Sequence, residues 1–209
     1  MDLQALPLDT TGLLAMAAAL GWASGLRLYA VVFLVGAAGR WGGVAWPEGL
    51  QLLQHPAVLA ASGALMAVEF LADKVPWVDP VWDMANSVLR VPAGAALAAA
   101  AMGADGATWG VVAALMGGTL AATSQAAKTT TRAAINTSPE PFSNWGASLL
   151  EDGLVVGALW LAYEYPLVFG VALLVTVVLM WFITWALFRF LRAAVRRVRV
   201  WFAGTAKET

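Results

Sequence analysis

The hydrophobic positions fall into long apolar runs separated by short polar stretches, and this pattern predicts helices on the scale of a bilayer. Spanning the hydrocarbon core takes roughly 20 apolar residues in a helix. Residues 167–188 carry no charge and are followed directly by Arg189. Residues 107–127 are rich in Gly and Ala, a composition that lets helices approach closely. Four more segments carry polar interruptions. Residues 11–39 contain Gly21, Ser24, Gly25 and Arg27; residues 56–72 are short and hold Glu69; residues 81–104 contain Arg90 and Pro92; residues 147–163 contain Glu151 and Asp152. The expectation is an all-α integral membrane protein of about six transmembrane or re-entrant helices. Segments 11–39, 56–72 and 81–104 read either as full spans or as re-entrant ones. The apolar domain covers 1–188, and a basic amphipathic tail covers 189–209.

Orientation follows from that tail. Arg189, Arg192, Arg196, Arg197 and Arg199 follow the last apolar run, and such clusters stay cytoplasmic. Positions 189, 192, 196 and 199 share one helical face, which suits a stretch lying along anionic lipid headgroups. Counting back through six spans puts the N-terminus on the same side, together with segments 73–83 and 128–148. The opening residues lack the positive region of a signal peptide, so the first apolar stretch is expected to be retained. Trp41, Trp46, Trp77, Trp82, Trp109 and Trp201 fall near predicted helix ends, as interfacial anchors do.

Composition then narrows the classes. Hydrophobic residues make up 61% of the 209 and charged residues 12%, about half the usual share of a soluble domain. A bilayer accepts the apolar surface this leaves; water does not. A formal net charge of −1 gives no field for nucleic acid. With no cysteine, thiol catalysis, disulfides and thiolate metal sites are excluded, and the one histidine, His55, cannot form a histidine cluster. His55 precedes Pro56 and reads as structural. No Ser-Lys or Ser-His spacing, paired-aspartate motif or phosphate-cradling glycine pattern is legible, so no enzyme and no cofactor is expected.

The charged residues that remain are arranged. One stretch runs through Glu69, Asp73, Lys74, Asp79-Pro80, Asp83, Asn86, Ser87 and Arg90. Another runs through Ser124, Lys128, Arg132, Asn136, Glu140-Pro141, Asn144, Ser148, Glu151 and Asp152. At an offset of 61, Asp79-Pro80 matches Glu140-Pro141, Asp83 matches Asn144, Ser87 matches Ser148 and Arg90 matches Glu151; Lys74 matches Lys128 at an offset of 54. Two related helix-loop-helix repeats would place polar groups at equivalent depths. Positions 79, 83, 87 and 90 read as one stripe, as do 140, 144, 148 and 151 and also 124, 128 and 132. Capping and snorkelling account for Asp73, Lys74, Asp79 and Glu140 equally well. They do not account for Arg27, Arg90, Glu151 and Asp152, which lie deeper in apolar sequence. A charge at the bilayer centre costs about 2.5–3.5 kcal/mol on insertion scales, so these four are expected to meet each other or water inside the bundle. Arg27 with Glu69, and Arg90 with Glu151, are the expected pairs.

Ala-Ser-Gly-Leu-Arg-Leu-Tyr-Ala at 23–30, Glu69-Phe-Leu-Ala-Asp73-Lys74-Val-Pro-Trp-Val-Asp79 and Asn136-Thr-Ser-Pro-Glu140-Pro141 carry a resemblance over nearly the whole chain. In them the sequence resembles a family of uncharacterised bacterial membrane proteins, domain of unknown function number 4126. The resemblance implies a polytopic inner-membrane protein and supplies no catalytic role. Glu69 and Asp73, four apart, also faintly resemble the acidic motif of divalent-cation/proton exchangers, with Ala72 where that motif has Gly.

Three functions fit. A transporter of a small solute or ion would bind it at Glu69, Asp73, Asp83, Glu151 and Asp152, with Arg27, Lys128 and Arg132 holding an anionic group or neutralising the empty site. A translocase for an anionic lipid or lipid phosphate would grip the phosphate with the same cations. A non-transporting scaffold or accessory subunit would use its apolar faces. The expected partners are the bilayer, a solute, ion or headgroup, and a second copy of the chain.

Overall fold

The computed structural model describes residues 8–75, 78–103, 107–137 and 142–205, and among these every regular element is helical. In order they are α1 (Thr10–Arg40), the short α2 (Glu48–Gln51) with a 3-10 turn at Leu52–Gln54, α3 (Pro56–Ala72), α4 (Asp79–Ala101), α5 (Ala107–Ile135), α6 (Phe142–Glu164) and α7 (Pro166–Thr205). The chain is an all-α integral membrane protein. Each of the six apolar segments is a helix, but four helices are long and apolar enough to cross a bilayer by themselves: α1, α5, α6 and α7. A fifth is reached if the bent pair Glu48–Gln54 and Pro56–Ala72, at 70° to each other, counts as one span.

α1 occupies the centre of the bundle and is buried along most of its length. It is not one rod. Arg27 sits at φ −146° and ψ 75°, outside the helical region, and divides it into 10–26 and 28–40. Both halves run beside the same stretch of α6. Trp22, from the first half, faces Gly153, Gly157, Trp160 and Leu161. Val35, from the second half, faces Val156, Leu159, Trp160 and Tyr163. A straight helix would separate Trp22 and Val35 by roughly 20 Å at 1.5 Å per residue. The chain therefore turns back at Arg27, which stands at the apex. Polarity in mid-segment makes the break tolerable, because neighbouring helices supply partners for the freed backbone groups.

The first half of α1 packs on α4 and α5 through small residues. A Cβ at Gly21 would collide with the backbone of Gly117, and one at Gly25 with Ser124 and the Ala121 carbonyl. Gly94 and Ala98 of α4 close the same seam. The second half meets α3, with Gly36 against Leu53 and Leu59 and Gly63 against Phe33.

Helix ends depart from the apolar runs where charges are buried. α5 continues to Ile135 and α6 begins at Phe142, so most of 128–148 is helix rather than a polar connection. Lys128 and Arg132 lie beyond the apolar run 107–127, and both face inward on the stripe expected for them. α7 runs on without a break at 188. Arg189 and Arg192 fold back over the rings of Trp185 and Phe188, four residues earlier. Trp41 and Trp109 are exposed, as anchors are. Trp46 is buried instead: its Nε1 donates to the Val35 carbonyl at 2.8 Å and its ring packs edge-on against Tyr163. Trp77 lies outside the described residues, as does the Trp201 side chain. His55 caps α3, its Nδ1 accepting from Ala57 N at 3.3 Å.

Candidate functional site

The charged residues that interrupt the apolar segments meet at the apex of α1, beneath the connections that follow α3 and α5. Arg27 projects from the break and is 1% exposed. Its Nη1 pairs with Asp73 Oδ2 at 2.9 Å, and its Nε lies 3.1 Å from Asp152 Oδ1 and 3.5 Å from Glu151 Oε2. Its Nη2 donates to Ser148 Oγ at 2.6 Å and to the Ser148 carbonyl at 3.2 Å. From α5, Arg132 forks onto Glu151, with Nε to Oε1 at 3.2 Å and Nη2 to Oε2 at 3.1 Å. Its Nη2 also reaches Asp73 Oδ2 at 3.2 Å, and its Nη1 donates to the Asn144 carbonyl and Oδ1, each at 3.1 Å.

Lys128, one helical turn before Arg132, joins these groups to the chain break. A helix end leaves carbonyls without intrahelical donors. Lys128 Nζ donates to one of them, Leu26 O, at 3.2 Å, and Ser124 Oγ donates to Trp22 O at 2.6 Å. The same ammonium lies 3.3 Å from Asp83 Oδ1, 3.3 Å from Glu151 Oε2 and 3.5 Å from Asp73 Oδ2. On the far side of Asp83, Arg90 is fully buried between Asp83 Oδ1 at 2.8 Å and Glu69 Oε1 at 2.6 Å. Asn136 bridges the two connections, donating to Asp79 Oδ2 at 3.2 Å and accepting from Asn144 Nδ2 at 2.7 Å.

Thirteen of the fifteen residues expected at the site therefore meet: Arg27, Glu69, Asp73, Asp79, Asp83, Arg90, Lys128, Arg132, Asn136, Asn144, Ser148, Glu151 and Asp152. Lys74 stays outside, its Nζ donating to the Phe70 carbonyl at 3.2 Å and lying over the Phe70 ring. Glu140 lies outside the described residues, and so does the match between Glu140-Pro141 and Asp79-Pro80. The expected pairs are exchanged. Arg27 takes Asp73, Asp152 and Glu151 rather than Glu69, and Arg90 takes Glu69 and Asp83 rather than Glu151. Which helices are neighbours decides this, and spacing along one helix does not contain it.

The stripe on α4 is also shifted by one residue. Asp79, Asp83, Asn86 and Arg90 point inward, while Ser87 turns its hydroxyl onto the Met84 carbonyl. At 3.6 residues per turn, seven residues return nearly to the starting face and eight overshoot it. Asn86, named in the same polar stretch but not among the expected site residues, thus takes the inward place that the stripe gave to Ser87. It holds Tyr29, whose hydroxyl donates to Asn86 Oδ1 at 2.6 Å.

Six carboxylates (Glu69, Asp73, Asp79, Asp83, Glu151 and Asp152) face four cations (Arg27, Arg90, Lys128 and Arg132), an excess of two negative charges when all are ionised. Asp152 is the most open of them, its side chain 35% exposed, and marks where the interior approaches the surface.

A helical membrane protein with an ion-paired interior built around a broken central helix is the class that this fold and site define. Within it, the chain belongs to the family described as Domain of unknown function (DUF4126), matched over residues 14–186. No curated protein and no solved structure matches it.

Proposed function

We propose that the protein is a membrane transporter that passes a small solute or ion through the polar interior at the apex of α1. The observation that carries this reading is the sharing of partners. Asp73 Oδ2 lies within ion-pair distance of Arg27, Lys128 and Arg132, and Glu151 Oε2 lies within ion-pair distance of the same three. Each cation can release one carboxylate while keeping another, so a charged solute can enter without leaving a buried charge unpaired, which is the costly state. Broken central helices and two-sided charge at a break are also how transporters build sites in a bilayer. In this reading the protein sits in a bacterial inner membrane. The arginines at the end of α7 face the cytoplasm, as positive clusters do. The α3–α4 and α5–α6 units act as related halves that both bring carboxylates to the site.

The negative excess favours a cation or proton as the moving charge. A lipid phosphate would have to displace carboxylates from Arg27 and Arg132, which already hold them at 2.9–3.2 Å. The test is flux in liposomes containing the purified protein, scanning cations with and without a proton gradient. Glu151→Gln is expected to abolish uptake that the unaltered protein supports. Undiminished flux in both Glu151→Gln and Asp73→Asn would remove the polar interior from the route, and a lack of flux for every ion would return the scaffold reading.

A further inference from the structure

One corner of the polar interior is acidic and incompletely satisfied. Asp73 at the end of α3, and Asp79 and Asp83 on the first turns of α4, each bring one carboxylate oxygen to within 4.8 Å of the others. None is more than 4% exposed. The network engages only part of each group. Asp73 Oδ2 meets Arg27 and Arg132, Asp79 Oδ2 accepts from Asn136, and Asp83 Oδ1 faces Arg90 and Lys128. The remaining oxygens, Asp73 Oδ1, Asp79 Oδ1 and Asp83 Oδ2, are buried with no hydrogen-bond donor. Asp79 has no ion pair at all among the described residues. A buried acceptor left without a partner costs about 1–3 kcal/mol, more when charged, and three in one corner point to a missing positive ligand.

We propose that Asp73, Asp79 and Asp83 form a binding site for a divalent cation. Three carboxylates are hard oxygen ligands, which suit calcium, manganese or magnesium rather than metals that seek sulfur or imidazole. Calcium accepts irregular oxygen coordination at about 2.3–2.6 Å, which suits three carboxylates fixed by two helices. Magnesium demands near-octahedral geometry at about 2.0–2.1 Å and gives up its waters reluctantly, so it is the poorer fit to such a set. Lys128 is the built-in competitor. Its ammonium touches Asp73 and Asp83 on one side and Glu151 on the other, so an arriving cation displaces it toward Glu151. Binding stands on the geometry of the triad; that the ion is cargo or coupling ion rests on the transporter reading above.

The experiment is a Mn2+ titration of the full chain in detergent, read by electron paramagnetic resonance and repeated with Ca2+ and Mg2+ as competitors. The expected result is one bound Mn2+ per chain, displaced by Ca2+ at lower concentration than by Mg2+. Asp79→Asn, which touches no ion pair, is expected to weaken Mn2+ by at least about 10–100-fold, since the loss of even an outer-shell partner costs a metal site that much. Lys128→Met, which removes the competitor, is expected to bind Mn2+ more tightly, so the two variants move in opposite directions. An unaltered protein that binds no Mn2+ overturns the proposal whether or not the variants fold. So does affinity unchanged by either substitution, because the ion is then elsewhere. Bound Mn2+ without flux in liposomes leaves the site and removes the transporter; flux without bound Mn2+ does the reverse.

Discussion

Around Gly21, Gly94 and Gly117 the backbones of α1, α4 and α5 approach until no side chain fits between them. A few turns along, the same three helices separate enough to hold Arg27, Arg90, Lys128 and Arg132 with their carboxylates. The two regions are equally buried and are held by opposite means. In the seam, removing side chains lets dispersion act between backbones, with no polar group to satisfy. At the apex, every group carries a desolvation cost that only its partners offset. The comparison teaches that the seam sets the geometry and the apex depends on it: because Gly21 fixes how α1 lies on α5, Leu26 O and Lys128 come within 3.2 Å.

The contrast can be broken most severely at the apex. Arg90→Ala removes from Glu69, which is fully buried, its only ion pair among the described residues. A loss of about 3–5 kcal/mol in unfolding free energy is expected, measured by denaturation in mixed micelles. Glu69→Gln added to it is expected to restore part of the loss, because the stranded charge is gone. If the single variant unfolds like the parent, the apex is not under ionic constraint. Next in size is the seam: Gly21→Leu forces a side chain into the Gly117 backbone, and overpacking of this kind costs about 1–3 kcal/mol. Here the informative readout is that ion flux and Mn2+ affinity fall together although no charged residue has changed. Retained binding in a well-folded Gly21→Leu protein would mean the apex assembles without the seam. The smallest effect sharpens the comparison from outside. Gly110 lies on the same helix as Gly117, but a Cβ there meets nothing. Gly110→Ala is expected to raise stability by about 0.5–1 kcal/mol through helix propensity alone, with binding unaltered.

Much of this was legible in the residues. Six apolar segments became six helices, and the charged members of the polar stripes among the described residues pointed inward because an isolated charge in hydrocarbon is too costly to leave facing lipid. The family likeness was legible in the strings around Arg27, Glu69, Asp73 and Asp79, where charge interrupts or borders apolar runs. The hydropathy signal failed where charge was internal. The apolar run ended at 127, short of Lys128 and Arg132 although their helix continues to Ile135, and Ser87 was placed on the inward stripe of α4, because average polarity over a window does not say which way a side chain faces.

From the residues alone it followed that the charges deep in apolar segments, Arg27, Arg90, Glu151 and Asp152, must meet each other or water inside the bundle, since an isolated charge in hydrocarbon is costly. Only the tertiary structure decided who meets whom. α1 doubles back at Arg27, so groups 121 residues apart, Arg27 and Ser148, touch, while Arg27 and Glu69 form no ion pair. The physical reason is that helical periodicity is local, and fixes which residues share a face, whereas pairing across helices depends on a backbone break and a glycine seam whose effects appear only when all the helices are packed.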